Sequence, residues 1–378
     1  MTRIAVLLVT ATVALAEGEP QSGRFEELQE TEKATFSTVE HLRRAFREGQ
    51  PRLQVPSDPR AVPQWRESAA GRLREVLGIE QHKPTPLNPR VYMLGQRKGY
   101  QLERVVFTSE QNVDVPGLLL VPDGVSASSP APAVLCLHGN VPGAKEEVAG
   151  ESKEPGTIDR FHDDYARQLA LAGFVTFAID MRDCGERRHQ EDYTGPAGLD
   201  WRSVAAANAL LLGRTYLGSC VFDSMRALDY LQSRPEVMPE AIGCTGFSMG
   251  GTLTAMLAVV ERRVKVAGIS GWFGKWRDRA ATGNFLGMIT YLPGFLKDLD
   301  VNLTVAAVAP TPLVMAYEHR DRIEEARAAT EPVSRAYAGF GASDRLRIEL
   351  VPGDHFYRSE IIVPWMTERL KKLAVPSQ

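Results

Sequence analysis

Hydrophobic positions change their spacing along the chain, and the changes mark its elements. Apolar residues recur at helical intervals in "FSTVEHLRRAFREG" and in "VPQWRESAAGRLREVLGI", within a polar, arginine-rich region running from about Arg24 to Leu77. Prolines between Pro51 and Pro63 join the two helices. The period then shortens. "GYQLERVVFTS" and "VDVPGLLLVP" are expected to form an antiparallel strand pair. Beyond them, short continuous apolar runs ("APAVLCL", "FVTFAID", "AIGCTGF", "VKVAGIS", "TPLVMAY", "LRIELV") alternate with helical stretches. "YARQLALAG", "SCVFDSMRALDYLQSRPEV" and residues 324–339 are the clearest of these. Strands that are apolar throughout and alternate with helices predict an α/β fold with a mostly parallel sheet covered on both faces. The chain divides accordingly into an N-terminal helical extension, 17–95, and an α/β domain, 96–378.

The first residues are of another kind. Arg3 precedes an apolar run from Ile4 to Leu15, and Ala14-Leu15-Ala16 offers small residues where a signal peptidase cuts. Residues 1–16 are expected to be a signal peptide, with a mature N-terminus near Glu17 and a secreted or periplasmic protein. The run is short for a bilayer span and no other stretch approaches ~18 uninterrupted apolar residues, so the mature form is expected not to insert into a membrane. With 44 Lys and Arg against 47 Asp and Glu, the net charge of -3 does not favour a nucleic-acid partner. The four cysteines lack zinc-site spacing. Cys136 and Cys244 sit in strand-like runs, and Cys184 and Cys220 have the option of pairing in an oxidising compartment.

In a covered parallel sheet, ligands bind beyond the carboxyl ends of the strands. "CTGFSMGG" lies at such an end. Gly246-Phe247-Ser248-Met249-Gly250 matches the G-x-S-x-G nucleophile elbow, with a strand before it and a helix after it. The glycines allow a tight turn that lifts Ser248 into open space, and the helix N-terminus favours negative charge beside it. A serine needs a base. Of the seven histidines only His319 and His355 follow Ser248, and His355 sits in a loop after the last strand, "VPGDHFY". The acid is expected after "TPLVMAY", where Asp321 is favoured and Glu318 is the alternative. The backbone N–H groups of Asn140, in "LCLHGN", and Met249 are expected to form an oxyanion hole. His138 is expected to brace that loop.

Together these features resemble the α/β-hydrolases, and within them the dienelactone hydrolase and acetylxylan esterase-like branch. The pieces that carry the resemblance are "HGN" with Lys145, "AGFVTFAIDMRDCGER", "GFSMGG", "VAPTPLVMAYEHRD" and "VPGDHF", spanning roughly Tyr100 to Arg358. The resemblance implies Ser248, Asp321 and His355 as a triad, with the amides of Asn140 and Met249 as the oxyanion hole. The chain departs from the branch at Asp183, which stands at a usual glycine. It also has Glu318 in an acid loop that lacks its glycine, and Met249 where acetylxylan esterases favour Gln.

The expected activity is ester hydrolysis through an acyl-enzyme, with no cofactor and no metal. The substrates would be small soluble esters, acetylated carbohydrates foremost, since no long apolar lid helix is evident. Trp272, Phe273 and Trp276, after "VKVAGIS", are the expected pocket aromatics. A serine peptidase of the prolyl-oligopeptidase type and a non-catalytic binding protein on the same scaffold are the rival readings. The first normally carries a propeller that the N-terminal extension is too short to form. The second would be marked by loss of a triad member.

Overall fold

The computed structural model describes residues 37–140, 143–153, 163–189, 200–271, 273–283, 287–318, 323–351 and 353–374. The expected signal peptide lies outside them. Among the described residues the strands build one sheet in the order β1-β2-β3-β5-β4-β6-β7-β8-β9. They are β1 (Arg90–Arg97), β2 (Tyr100–Glu110), β3 (Val113–Pro122), β4 (Ala131–Leu137), β5 (Val175–Ile179), β6 (Val237–Phe247), β7 (Val264–Ser270), β8 (Leu313–Tyr317) and β9 (Leu346–Leu350). β1, β2 and β3 pair antiparallel, and β3 pairs antiparallel with β5. From β5 through β4, β6, β7 and β8 to β9 every pairing is parallel. The five central runs "APAVLCL", "VTFAI", "AIGCTGF", "VAGIS" and "LVMAY" are fully buried, as their lack of alternation implies.

The parallel strands end on one edge of the sheet. His138, Asp180, Ser248, Gly271 and Glu318 therefore all follow strand ends on the same side. Buried side chains on both faces form two large apolar clusters. One gathers the helices Val62–Leu77, Tyr216–Ser233 and Met249–Val260, and the other packs Tyr165–Leu171 and Ser359–Ala374 against the opposite face.

The N-terminal extension is built into this core. Val62, Trp65, Leu73 and Leu77 are buried in the first cluster beside Leu253 and Val259. The buried Arg66 donates to the carbonyls of Ala307 and Val259, at 3.2 and 2.9 Å. The extension is not wholly helical, because β1 starts at Arg90. Its residues are nearly all exposed, including Val91, Tyr92 and Met93. An edge strand held by backbone bonds to β2 has no buried face, so period-two alternation did not signal it. The helix expected over 324–339 is two, Ile323–Ala329 and Glu331–Gly339. The helix Trp201–Leu211 was not expected at all. All four cysteines are free and buried, Cys184 and Cys220 included.

Candidate active site

Ser248 sits between β6 and the helix Met249–Val260 with φ 53 and ψ −111, an uncommon conformation for a non-glycine residue. Such strain costs on the order of 1–3 kcal/mol and persists only where the surroundings enforce it. Here they do: the Ser248 N–H donates to the Ser270 carbonyl at 2.8 Å, and the Ser248 carbonyl accepts from Thr252 N–H at 3.1 Å. The neighbouring glycines answer a shortage of space. A Cβ on Gly250 would lie 1.9 Å from the carbonyl oxygen of Leu137, and one on Gly246 would lie 2.3 Å from that of Gly250. The elbow is thus pressed against the end of β4, where the loop carrying Asn140 begins.

His355 Nε2 stands 3.0 Å from Ser248 Oγ. Its ring packs against Phe247, with centroids 4.6 Å apart. On the other side, His355 Nδ1 is 3.4 Å from Glu318 Oε1. That is longer than an ordinary hydrogen bond. Glu318 is fully buried, and burial pushes its carboxyl up from the usual range while His355 pulls it back. Among the described residues the carboxylate facing the histidine is thus that of Glu318, the alternative acid. Asp321 lies outside the described residues. Glu318 is the first residue after β8, and its extra methylene carries the carboxylate from the strand end to the ring.

Gly271 is a site residue that the sequence did not single out. It follows β7 with φ +72, and its N–H donates to the Ala316 carbonyl at 3.0 Å. A Cβ there would lie 2.5 Å from Phe247, 2.8 Å from His355 Cε1 and 2.9 Å from Glu318 Oε1. Its one sequence signal is a glycine directly after a buried strand, in "GISGW".

His138 holds the Asn140 loop down. Its Nε2 accepts from the Met181 N–H at 3.0 Å, so Nδ1 bears the proton and donates to the Gly139 carbonyl at 2.6 Å. Below it, buried Lys145 donates to Asp180 Oδ2 at 2.8 Å and lies 2.8 Å from Glu186. Burial alone would lower the Lys145 ammonium, but Asp180 and Glu146 outweigh it and hold it at about 12. Burial pushes Asp180 up, against the pull of Lys145 and of the Glu186 and Lys145 amides. The loops after β4 and β5 are tied together in this way. Asn140 is exposed, and its Oδ1 accepts from Arg202 of the helix Trp201–Leu211. Met249, half-buried, opens the elbow helix.

The expected pocket aromatics fare differently. Trp272 lies outside the described residues. Phe273 and Trp276 are buried in the large apolar cluster. Trp276 packs edge-on to Phe295 at 5.7 Å, and its backbone N–H donates to Asp300 Oδ1 at 2.8 Å. The cavity of about 750 Å³ that it borders is lined by Leu42, Phe46, Leu292 and Phe295, between the extension and residues 273–297, and includes neither Ser248 nor His355. The indole packs among these apolar neighbours.

The geometry can be set beside known proteins. A family model described as "Abhydrolase family" matches residues 31–349. The "Putative hydrolase YtaP" of Bacillus subtilis (strain 168) is 26% identical over 282 residues, which are 72% of this chain and 88% of that protein. Among solved structures, a "putative acetyl xylan esterase" from Bacteroides fragilis NCTC 9343 superposes with a TM-score of 0.74 at 22% identity, over 88% of this chain and 95% of that one. A glucuronoyl esterase from Solibacter usitatus gives a TM-score of 0.56 at 14% identity, over 86% and 97%. At these identities the two structures establish a shared fold.

Proposed function

We propose that this chain, which belongs to the Abhydrolase family, is a serine-dependent carboxylic ester hydrolase acting on small soluble esters of carbohydrates. The observation that carries the reading is the 3.0 Å approach of His355 Nε2 to Ser248 Oγ at a strained strand-to-helix turn. In the proposed reaction His355 takes the hydroxyl proton as Oγ attacks the ester carbonyl. The tetrahedral oxyanion accepts from the amides of Met249 and Asn140. His355 then gives the proton to the leaving alcohol, and an acyl-Ser248 remains. Water, deprotonated by the same imidazole, attacks the acyl carbon, and the acid departs as the proton returns to Oγ. Glu318 fixes the tautomer of His355 and stabilises the imidazolium.

The carbohydrate part of the reading is supported by the names of proteins that share the fold, acetyl xylan and glucuronoyl esterases. A further structural relative is named a methylesterase, with a TM-score of 0.63 at 18% identity, over 88% of this chain and 67% of that one. Export through residues 1–16 belongs to the same proposal. No single helix among the described residues is long and apolar enough to cross a membrane.

The test is a series of p-nitrophenyl esters from acetate to palmitate, with acetylated xylo-oligosaccharides and a peptide p-nitroanilide alongside. A rate maximum at acetate, with acetate release from the oligosaccharides, is expected. A maximum at palmitate, or amide cleavage without ester cleavage, would overturn the reading.

A further inference from the structure

We infer that Arg202 selects esters of acidic sugars, by pairing with a free carboxylate next to the scissile ester. The inference rests on the ester-hydrolase reading and names the substrate class of that site.

Arg202 stands in the first turn of the helix Trp201–Leu211. Its guanidinium reaches the loop after β4 and donates to Asn140 Oδ1 and, at 3.6 Å, to Cys184 Sγ. Both acceptors are uncharged, because burial keeps the Cys184 thiol protonated. No carboxylate among the described residues lies within the 4.0 Å of an ion pair with it. The acid nearest in sequence, Asp200, is committed to capping its own helix: it accepts from Ser203 N–H and Ser203 Oγ, both at 2.9 Å. Several other partly buried arginines of this protein are paired with carboxylates, although buried Arg277, like Arg202, is held by uncharged acceptors, the carbonyls of Phe46 and Leu296. Arg182 pairs with Asp223 and Glu110, Arg187 with Asp223, Arg234 with Glu103 and Glu236, and Arg263 with Asp229 and Glu261. Asp183 and Asp200 act on the guanidinium of Arg202 through space without an ion pair, so donors beside the Asn140 loop remain open to an anion.

Its place indicates what that anion is. Asn140 is the residue whose amide would receive the ester oxyanion. The guanidinium therefore lies no farther from that amide than one asparagine side chain and one hydrogen bond, about the breadth of a sugar ring. A planar fork of N–H donors matches a carboxylate in two-point contact. A uronate carboxylate on the sugar bearing the ester, or on the next one, would meet it there. Neutral acetylated sugars would leave the charge without its partner.

The experiment compares two probes with the same scissile bond, an acetylated methyl glucuronoside and the equally acetylated methyl glucoside, with p-nitrophenyl acetate as a reference. The wild-type enzyme should show a kcat/KM ratio of about ten or more in favour of the glucuronoside, carried mainly by KM and falling with added salt. Arg202→Ala and Arg202→Gln should bring the ratio to near one, and Arg202→Lys should keep part of it. Thermal melts of the variants establish that they fold. A wild-type ratio near one, a ratio that survives in both neutral variants, or an equal loss on both sugars would overturn the inference. In the last case Arg202 would be a positioning residue for the Asn140 loop. Cleavage of p-nitrophenyl acetate with neither sugar cleaved would overturn it while leaving ester hydrolysis standing. No hydrolysis of any of the three would remove both readings.

Discussion

Two carboxylates, Asp223 and Glu318, are buried equally well and are surrounded quite differently. Asp223 accepts from Ser109 Oγ at 2.7 Å, from Arg182 Nε at 2.9 Å and from Arg187 Nη1 at 2.9 Å. Burial would raise its pKa, yet the two guanidinium groups outweigh that and hold it at about 2. Glu318 faces a histidine ring at 3.4 Å and no guanidinium pairs with it among the described residues, and burial leaves it above the usual range. A carboxylate that anchors a loop is fully paired in the resting protein. On the proposed reading, Glu318 keeps its strongest interaction for the charged histidine that forms during reaction. The comparison also separates two residues that sequence treats alike, since both are acids near strand ends or helices without obvious partners.

The largest effect expected from this contrast is on turnover. Glu318→Gln should lower kcat by about 10²- to 10⁴-fold on p-nitrophenyl acetate while the melting temperature stays level or rises, because a poorly solvated charge is removed. Asp321→Asn should change kcat by less than about threefold. The reverse ranking in steady-state kinetics would return the acid role to Asp321.

A smaller loss is expected at the point where three site groups crowd one backbone. Gly271→Ala forces a Cβ into contact with Phe247, His355 and Glu318 at a positive φ. Displacement of the imidazole by a fraction of an ångström should cost on the order of 10- to 100-fold in kcat with little change in KM. Unchanged kcat would mean that the triad tolerates movement the geometry does not allow.

Least affected in turnover, and most in stability, should be Asp223→Asn. It leaves Arg182 and Arg187 without their shared counter-charge, a loss of about 3 kcal/mol at neutral pH that a denaturant melt would detect. The pH dependence has a definite sign. The folded pKa of Asp223, about 2, lies below its ordinary 3.8, so its charge stabilises fully above that ordinary value and loses the effect as pH falls towards about 2. Glu318 is raised, so the folded protein keeps that proton to higher pH than the unfolded chain does. Its ionisation therefore costs stability as pH rises past its ordinary 4.5. The fall in melting temperature between about pH 4 and 2 should flatten in Asp223→Asn and persist in Glu318→Gln. Parallel curves for the two variants would erase the distinction.

How much of this was legible depended on whether a feature is written locally. The elbow was, because close approach to β4 demands small residues around Ser248 in a contiguous pattern. The buried strands were, because full burial removes alternation. His355 followed from chain order. The acid was not settled, since Glu318 and Asp321 both follow β8 within four residues and spacing alone does not rank them. β1 was hidden by its exposure. Trp276 was not resolved by sequence because an indole after a strand end reads alike in a pocket and in a core; here it packs on Phe295 and borders a cavity that is not lined by Ser248. Arg202 and Gly271 meet Asn140 and His355, which lie far away in the chain, and no local pattern reports such contacts.

The central claim, that Ser248 is the nucleophile, is tested most directly by active-site labelling. A fluorophosphonate should inactivate ester hydrolysis with one equivalent bound, peptide mass spectrometry should place the adduct on Ser248, and Ser248→Ala should neither label nor turn over. Inactivation with Ser248 unmodified, or wild-type turnover in Ser248→Ala, would contradict the account.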